Sequence, residues 1–361
     1  MKPGERYECS RLETLKNRLE VEGYRGSTDS AQSASAPPEP AASNAAASNT
    51  DAPNAAVPNA GTPNAGTPNA GATADCEYGP MLVSAVKDFQ YDRYLVSDGI
   101  VGGKTLTQLA KPAADVLAKI EYALKRWRAN AANLSGSYIL VNIPAFELAV
   151  YEGRREVLRM PVIVGLTDWQ TPELSDLIEY IVVNPSWNIP KSIANDEVIP
   201  KSRKDKGYFK REGIVADGDG TLSQKPGPRN PLGRLKFMLP NREDIYLHDT
   251  PGKQRFASPA RAFSHGCVRV EKPVELAAYL LKDDPQWSKE RIQSAIDSGD
   301  TKNVKLPQPM PVHLLYIPAL VSEDGRVRVA PDIYDKVGNA RDESATEPAP
   351  TEEEEFLPDW P

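Results

Sequence analysis

The chain reads as an α+β protein, a small helical module followed by a mainly β domain. Three observations predict this. In the first 130 residues, apolar side chains recur at helical spacing (Leu12, Leu15, Leu19; then Leu82, Val86, Phe89; then Leu117, Ile120, Leu124, Trp127). From Tyr138 onward the pattern changes to short Val-, Ile-, Leu- and Tyr-rich runs punctuated by Pro and Gly, which are strand signals. Helical periodicity then returns after Pro273 and around Ser288 to Ser298, so the second domain is mixed. A length of 361 residues suits two or three domains, and 40% apolar content supports a sizeable core.

Residues 1–25 hold the first helix, with Ser10 and Glu13 as a capping box and Gly23 at the stop. Residues 26–75 are rich in Ala, Ser, Asn and Pro and carry a five-residue repeat at Pro53, Pro58, Pro63 and Pro68. They have too few large apolar groups to offset the entropy of ordering and are expected to be disordered. Residues 76–112 contain a second amphipathic helix, then a turn over Asp98–Thr105 into a third. Residues 113–135 form a linker helix, its core Asp115 to Arg128.

Residues 136–335 are the mainly β domain. Within it, Lys236–Leu239 and Asp244–His248 read as two strands joined by the tight loop Pro240–Glu243, with Val268–Val270 as another short strand. A helix opens at Pro273 with Val274, Ala277, Ala278 and Leu281 on one face. Residues 336–361 read as an acidic disordered tail.

A net charge of −7 argues against general nucleic-acid binding. The basic group Lys201, Arg203, Lys204, Lys206, Lys210 and Arg211 reads as a solvated face. No apolar run approaches the roughly 20 residues of a membrane span, and no signal peptide is visible at Met1–Tyr7. Three cysteines make no disulfide framework; whether Cys9 pairs with Cys76 is left open by the sequence.

The chemistry concentrates in one place. Of three histidines and three cysteines, His248, His265 and Cys267 fall within twenty residues. A thiol must become a thiolate to attack, and an adjacent imidazole can take its proton. His248 or His265 could act so, Arg269 adds positive potential, and Gly266 lets amides converge on a developing oxyanion. A Zn²⁺ site would need a fourth ligand, and no Cys-x-x-Cys is present. No metal or organic cofactor is therefore expected. His313, in a Pro-bounded apolar strand, reads as a core residue. The order histidine then cysteine, on β structure, differs from papain-like enzymes.

His248, a stretch of fifteen residues, then Ser264-His265-Gly266-Cys267 resembles the signature of L,D-transpeptidases with a YkuD-like catalytic domain. Tyr138–Phe146, Met160–Gly165, Asn184–Pro190 and Pro311–Tyr316 resemble the YcbB-type branch, and the likeness covers roughly residues 78 to 335. It implies that Cys267 is the nucleophile and His248 the base, with His265 and Ser264 shaping the site. The backbone of Gly266 and Cys267 would supply oxyanion donors, and the Asp249 carbonyl would orient the imidazole. Tyr246, Trp187 and Arg269 would line the donor groove. Ala85–Gln90 and the Asp98–Thr105 turn resemble a peptidoglycan-binding module, interrupted by the low-complexity insert; enlarging a loop of about 5 residues to about 50 costs only about 2 kcal/mol.

The resemblance further implies a reaction on peptidoglycan tetrapeptide stems as donor and acceptor, giving diaminopimelate–diaminopimelate cross-links through a thioester, with carbapenem sensitivity. Carboxypeptidase or D-amino-acid exchange activity with the same nucleophile, and a noncatalytic wall-binding protein, are the alternatives. Such an enzyme works in the periplasm, so a start without a signal peptide is expected to be truncated. The stretch from Pro200 to Gly227, lid-like in that branch, is short here.

Overall fold

The computed structural model describes residues 1–26, 75–218, 220–322 and 325–340. The expected disordered insert lies outside these residues except at its edges, as do residues 341–361 of the expected tail. The chain divides into two compact units, Met1–Tyr91 with Ser97–Leu109, and Asp92–Val96 with everything from Ala110 onward.

The first unit contains β1 (Arg6–Glu8), α1 (Cys9–Val21), β2 (Asp75–Glu77), α2 (Pro80–Asp92) and α3 (Gly103–Leu109). Leu12, Leu15 and Leu19 of α1 pack with Tyr78, Val86 and Phe89, as their helical spacing predicts. The capping box does not form. The helix starts one residue before Ser10, at Cys9, with Glu8 at the cap and no side-chain cap bond. The reason lies next door: β1 pairs antiparallel with β2, and a Cys9–Cys76 disulfide fixes the first helical residue at a Cα–Cα distance of 4.8 Å. Closing a loop across a separation of 67 residues is worth roughly 4 kcal/mol in the chain-entropy picture. Buried Gln90 organises the turn: its amide nitrogen donates to Asp98 Oδ1, Ile100 O and Thr105 Oγ1, and its oxygen accepts from the Gly99 amide at 2.8 Å.

The second unit opens with α4 (Ala113–Asn130), followed by β3 (Ser137–Asn142), β4 (Glu147–Glu152), β5 (Arg155–Gly165) and β6 (Leu174–Val183). A small insertion follows: β7 (Trp187–Asn188), α5 (Lys191–Ile193), a π-helical turn (Ala194–Val198), α6 (Ile199–Lys204), α7 (Tyr208–Glu212), β8 (Ile214–Ala216) and β9 (Leu222–Gln224). Then come β10 (Leu235–Met238), β11 (Leu247–His248), β12 (Ala262–Ser264), β13 (Val268–Val270), α8 (Pro273–Leu280), α9 (Lys289–Asp297) and β14 (Lys302–Leu315). A hairpin of β15 (Ala319–Val321) and β16 (Val327–Val329) ends it.

The main sheet runs β12-β5-β13-β11-β10-β6-β14-β3-β4, and β4 also pairs with β5, so eight strands close on themselves with β12 beside them. Ile139, Val141, Leu148, Val162, Ile181, Phe237, Leu247, Val268 and Leu314 fill the interior. These residues alternate along their strands, so the intervening positions face outward. That alternation decides where the polar side chains of β10, β11 and β13 go.

Two helical faces differ from expectation. In α4, Leu117 and Leu124 are about half exposed, while Ala118, Lys119 and Ala123 are buried. Lys119 enters because its Nζ donates to the Ala330 carbonyl at 2.6 Å, a partner 211 residues away. In α8 the buried side is Pro273, Leu276, Ala277 and Leu280, with Leu281 at the cap, so Val274 and Ala278 sit only at its border. The tail also begins later than 336. Residues 336–340 are helical, Val337 is buried, and Asp332 accepts the amides of Lys336 and Val337.

Candidate active site

Strand register builds the site. Lys236 on β10 pairs with His248 on β11, and His248 pairs with Arg269 on β13. In the next row, Leu247 opposite Val268 points inward, and Tyr246 and Cys267 precede that pair. Period-two alternation thus puts Lys236, His248, Arg269, Tyr246 and Cys267 on one outer face of the barrel. Cys267 and His248 are diagonal neighbours on adjacent strands. Tyr246 touches both: its ring meets that of His248 edge-on at 5.6 Å between centroids, and its hydroxyl and backbone N–H act on the sulfur.

Cys267 sits at the end of a cinched turn. Ser264 Oγ donates to the Cys267 carbonyl at 2.6 Å and accepts from the Gly266 amide at 3.2 Å. Gly266 has φ +110°, a conformation side chains resist, and a Cβ there would press within 3.4 Å of Ile245. Buried Thr171 donates its hydroxyl to the Gly266 carbonyl at 2.7 Å and accepts the Gly165 amide at 2.9 Å. The expectation that Gly266 offers a free oxyanion donor is corrected here, because Ser264 already holds that amide.

The candidate base His248 is held by backbone. His248 Nδ1 lies 2.5 Å from the Asp249 carbonyl. A carbonyl can only accept, so Nδ1 carries the proton and Nε2 holds the lone pair. The Asp249 carboxylate in turn accepts from the Arg234 amide at 2.8 Å and pairs with Lys253. Gly233 makes room for it, since a Cβ there would fall 2.3 Å from Asp249 Oδ2. The Cys267 thiol donates to the Asp244 carbonyl at 3.7 Å.

Electrostatics favour a neutral pair. Burial, then Arg269, then Lys236 push the His248 imidazole down to about 3, against the Asp249 and Leu232 carbonyls. Burial raises the Cys267 thiol above its ordinary value, although Tyr246, Lys236 and Arg269 oppose this. At neutral pH the resting site is thiol plus imidazole, with a base free to accept a proton.

Residues 136–291 match the family of the YkuD L,D-transpeptidase catalytic domain. That match spans β3 to α8 and takes in the site just described. Residues 64–109 match a second family, described as "Putative peptidoglycan binding domain", a span that takes in the end of the insert and the part of the helical module after it. A Haemophilus influenzae protein described as "Putative L,D-transpeptidase" is 33% identical over 215 residues, 54% of this chain and 44% of its own length. This chain thus spans less than half of that curated relative. Among solved structures, an L,D-transpeptidase from Mycobacterium smegmatis has 13% identity, covers 50% of this chain and 59% of its own, and has a TM-score of 0.27. L,D-transpeptidase 3 from Mycobacterium tuberculosis has 13% identity, 50% and 61% coverage and a TM-score of 0.26.

β14 lies between β6 and β3, so the closed sheet extends beyond residue 291, where the family match ends. His265 is exposed, its Nε2 3.5 Å from Glu197 of the π-helical turn, with the Trp169 ring edge-on at 5.3 Å. The insertion between β6 and β10 thus reaches the Ser264–Cys267 turn through Glu197, just before the expected lid-like stretch. Trp187 packs with the insertion's own cluster of Ile189, Ala194, Val198, Ile214 and Leu222. His313 is buried, with Nδ1 2.8 Å from Ser175 Oγ.

Sequence reading missed Lys236, Thr171, Trp169 and Asn241. Asn241 staples the β10–β11 loop, donating to the Leu239 and Ile245 carbonyls and accepting the Glu243 and Ile245 amides. Its signal was present, since asparagine bonds to nearby backbone in turns. Lys236 was legible only as an outward polar position between Leu235 and Phe237.

Proposed function

We propose that this chain is a peptidoglycan L,D-transpeptidase in which Cys267 forms a thioester on a tetrapeptide stem. The observation that carries the reading is the thiol and the oriented imidazole on one barrel face, within the domain that matches this family. In the first half-reaction Cys267 rotates from Asp244, His248 Nε2 takes the thiol proton, and sulfur attacks the carbonyl between diaminopimelate and the terminal D-alanine. The Cys267 amide faces the developing oxyanion. The C–N bond breaks, and His248 returns the proton to the departing amine of D-alanine.

In the second, the side-chain amine of another diaminopimelate attacks the thioester and gives its proton to His248. The C–S bond breaks, and the sulfur regains a proton from His248. Water or a free D-amino acid in place of that amine would give trimming or exchange.

Two further features support the setting. The Cys9–Cys76 disulfide suits an oxidising compartment such as the periplasm. Among the described residues no helix is long and apolar enough to cross a membrane. The helical module would serve wall binding.

The test is intact-protein mass spectrometry after incubation with disaccharide-tetrapeptide or a carbapenem. An adduct on the wild type that is absent in Cys267→Ala is expected, followed by cross-linked dimers among the products. An adduct that persists in Cys267→Ala would exclude that nucleophile.

A further inference from the structure

Two cations, Lys236 and Arg269, stand beside Cys267, and among the described residues neither is held in an ion pair. Lys236, His248 and Arg269 form one row across β10, β11 and β13. With strands about 4.8 Å apart, the two cations flank the base on either side, and Cys267 lies one diagonal step away. Lys236 Nζ rests 3.7 Å above the Tyr246 ring, and Tyr246 touches the sulfur. Arg269 Nε is buried without a hydrogen-bond partner.

The nearby carboxylates are engaged elsewhere. Asp249 holds Lys253 and the Arg234 amide, while Glu197 holds Lys201 and His265. Asp244 is exposed; its charge attracts Lys236 without forming an ion pair with it. Half-buried cations left unpaired in a free enzyme cost stability, so a site that keeps two of them is built for an anionic ligand.

We propose that Lys236, with Arg269 across His248, receives a carboxylate of the donor stem and so selects donors carrying a free carboxylate beside the scissile bond. This rests on the transpeptidase reading above. Two carboxylates of the stem have the right chemistry: the C-terminal one of the departing D-alanine, and the one on the diaminopimelate side chain. In the first case the clamp makes the enzyme act only at the stem terminus, where the carboxylate is free. A contact of this kind acts on substrate binding, so Lys236 is a specificity residue.

The test uses the full chain, as wild type, Lys236→Met and Lys236→Arg. Each is given the tetrapeptide stem, its C-terminal amide, and the stem amidated at the diaminopimelate side-chain carboxylate, and kcat/KM of acylation is followed by release of D-alanine or its amide. A charge-assisted hydrogen bond corresponds to about a 10- to 100-fold preference of the wild type for the free acid. Lys236→Met is expected to bring that preference close to one, and Lys236→Arg to keep most of it. The amide that loses rate in the wild type identifies which carboxylate is held. Equal slowing of all three substrates by Lys236→Met would overturn the proposal, leaving Lys236 a role only in the field on Cys267.

A second arm needs no stem. Wild-type Cys267 should favour iodoacetate over iodoacetamide more than Lys236→Met does, by about fivefold or more on the same electrostatic grounds. An unchanged ratio overturns the clamp. A changed ratio with no acylation by any stem supports the clamp and sinks the transpeptidase reading instead.

Discussion

At the scale of single residues, the site depends on a neutral thiol beside a neutral imidazole. A thiolate–imidazolium pair would react with iodoacetamide on a plateau near pH 4–6. With burial holding His248 at about 3 and raising Cys267, alkylation should instead stay slow through that range and rise only above about pH 8. Measured rates showing an acid plateau would contradict the neutral pair. Gly266 is equally constrained by its φ of +110°. Gly266→Ala should lose roughly 1–3 kcal/mol in denaturant unfolding and most of its acylation rate, because strain and the contact with Ile245 displace the cysteine turn.

Elements explain how these residues meet. The β10–β11 loop depends on Asn241, whose side chain makes four backbone bonds. Asn241→Ala should slow acylation by about tenfold or more with a modest loss of stability, since buried loop carbonyls lose their donor and the Asp244–Tyr246 segment shifts. The crystal form of a carbapenem adduct, or its acylation kinetics, would reveal that shift. Short strands at 235–238, 247–248 and 268–270 were readable because apolar residues alternate there. The buried face of α4 was not. Its leucines lie at helical spacing, but small Ala118 and Ala123 allow close approach and Lys119 finds a distant carbonyl. Local periodicity cannot encode a partner 211 residues away.

For the whole molecule, two long-range closures matter. The Cys9–Cys76 bond spans 67 residues, so Cys9→Ser with Cys76→Ser should cost the helical unit roughly 2–4 kcal/mol, seen as a lower unfolding midpoint. The alkylation rate of Cys267 should not change. The barrel buries His248 as the neutral form, so its folded value lies below its unfolded one. The unfolded chain therefore gains a proton first as pH falls through about 6.5, and stability should drop by up to about 1.4 kcal/mol per pH unit below that. Denaturant midpoints at pH 7 and pH 5 would show it, with a smaller drop in His248→Gln.

The sequence by itself determined the candidate chemistry: a histidine separated by fifteen residues from Ser-His-Gly-Cys, on β structure, with a glycine where the turn needs one. It also determined which strands exist, since alternation is a local property of the chain. Only the tertiary structure decided that β10, β11 and β13 become neighbours, and so that Lys236 joins the site, that the Gly266 amide is occupied, and that the thiol rests against Asp244. Strand order and burial arise from contacts between residues far apart in the chain, and electrostatics follows burial, so neither can be read from spacing alone.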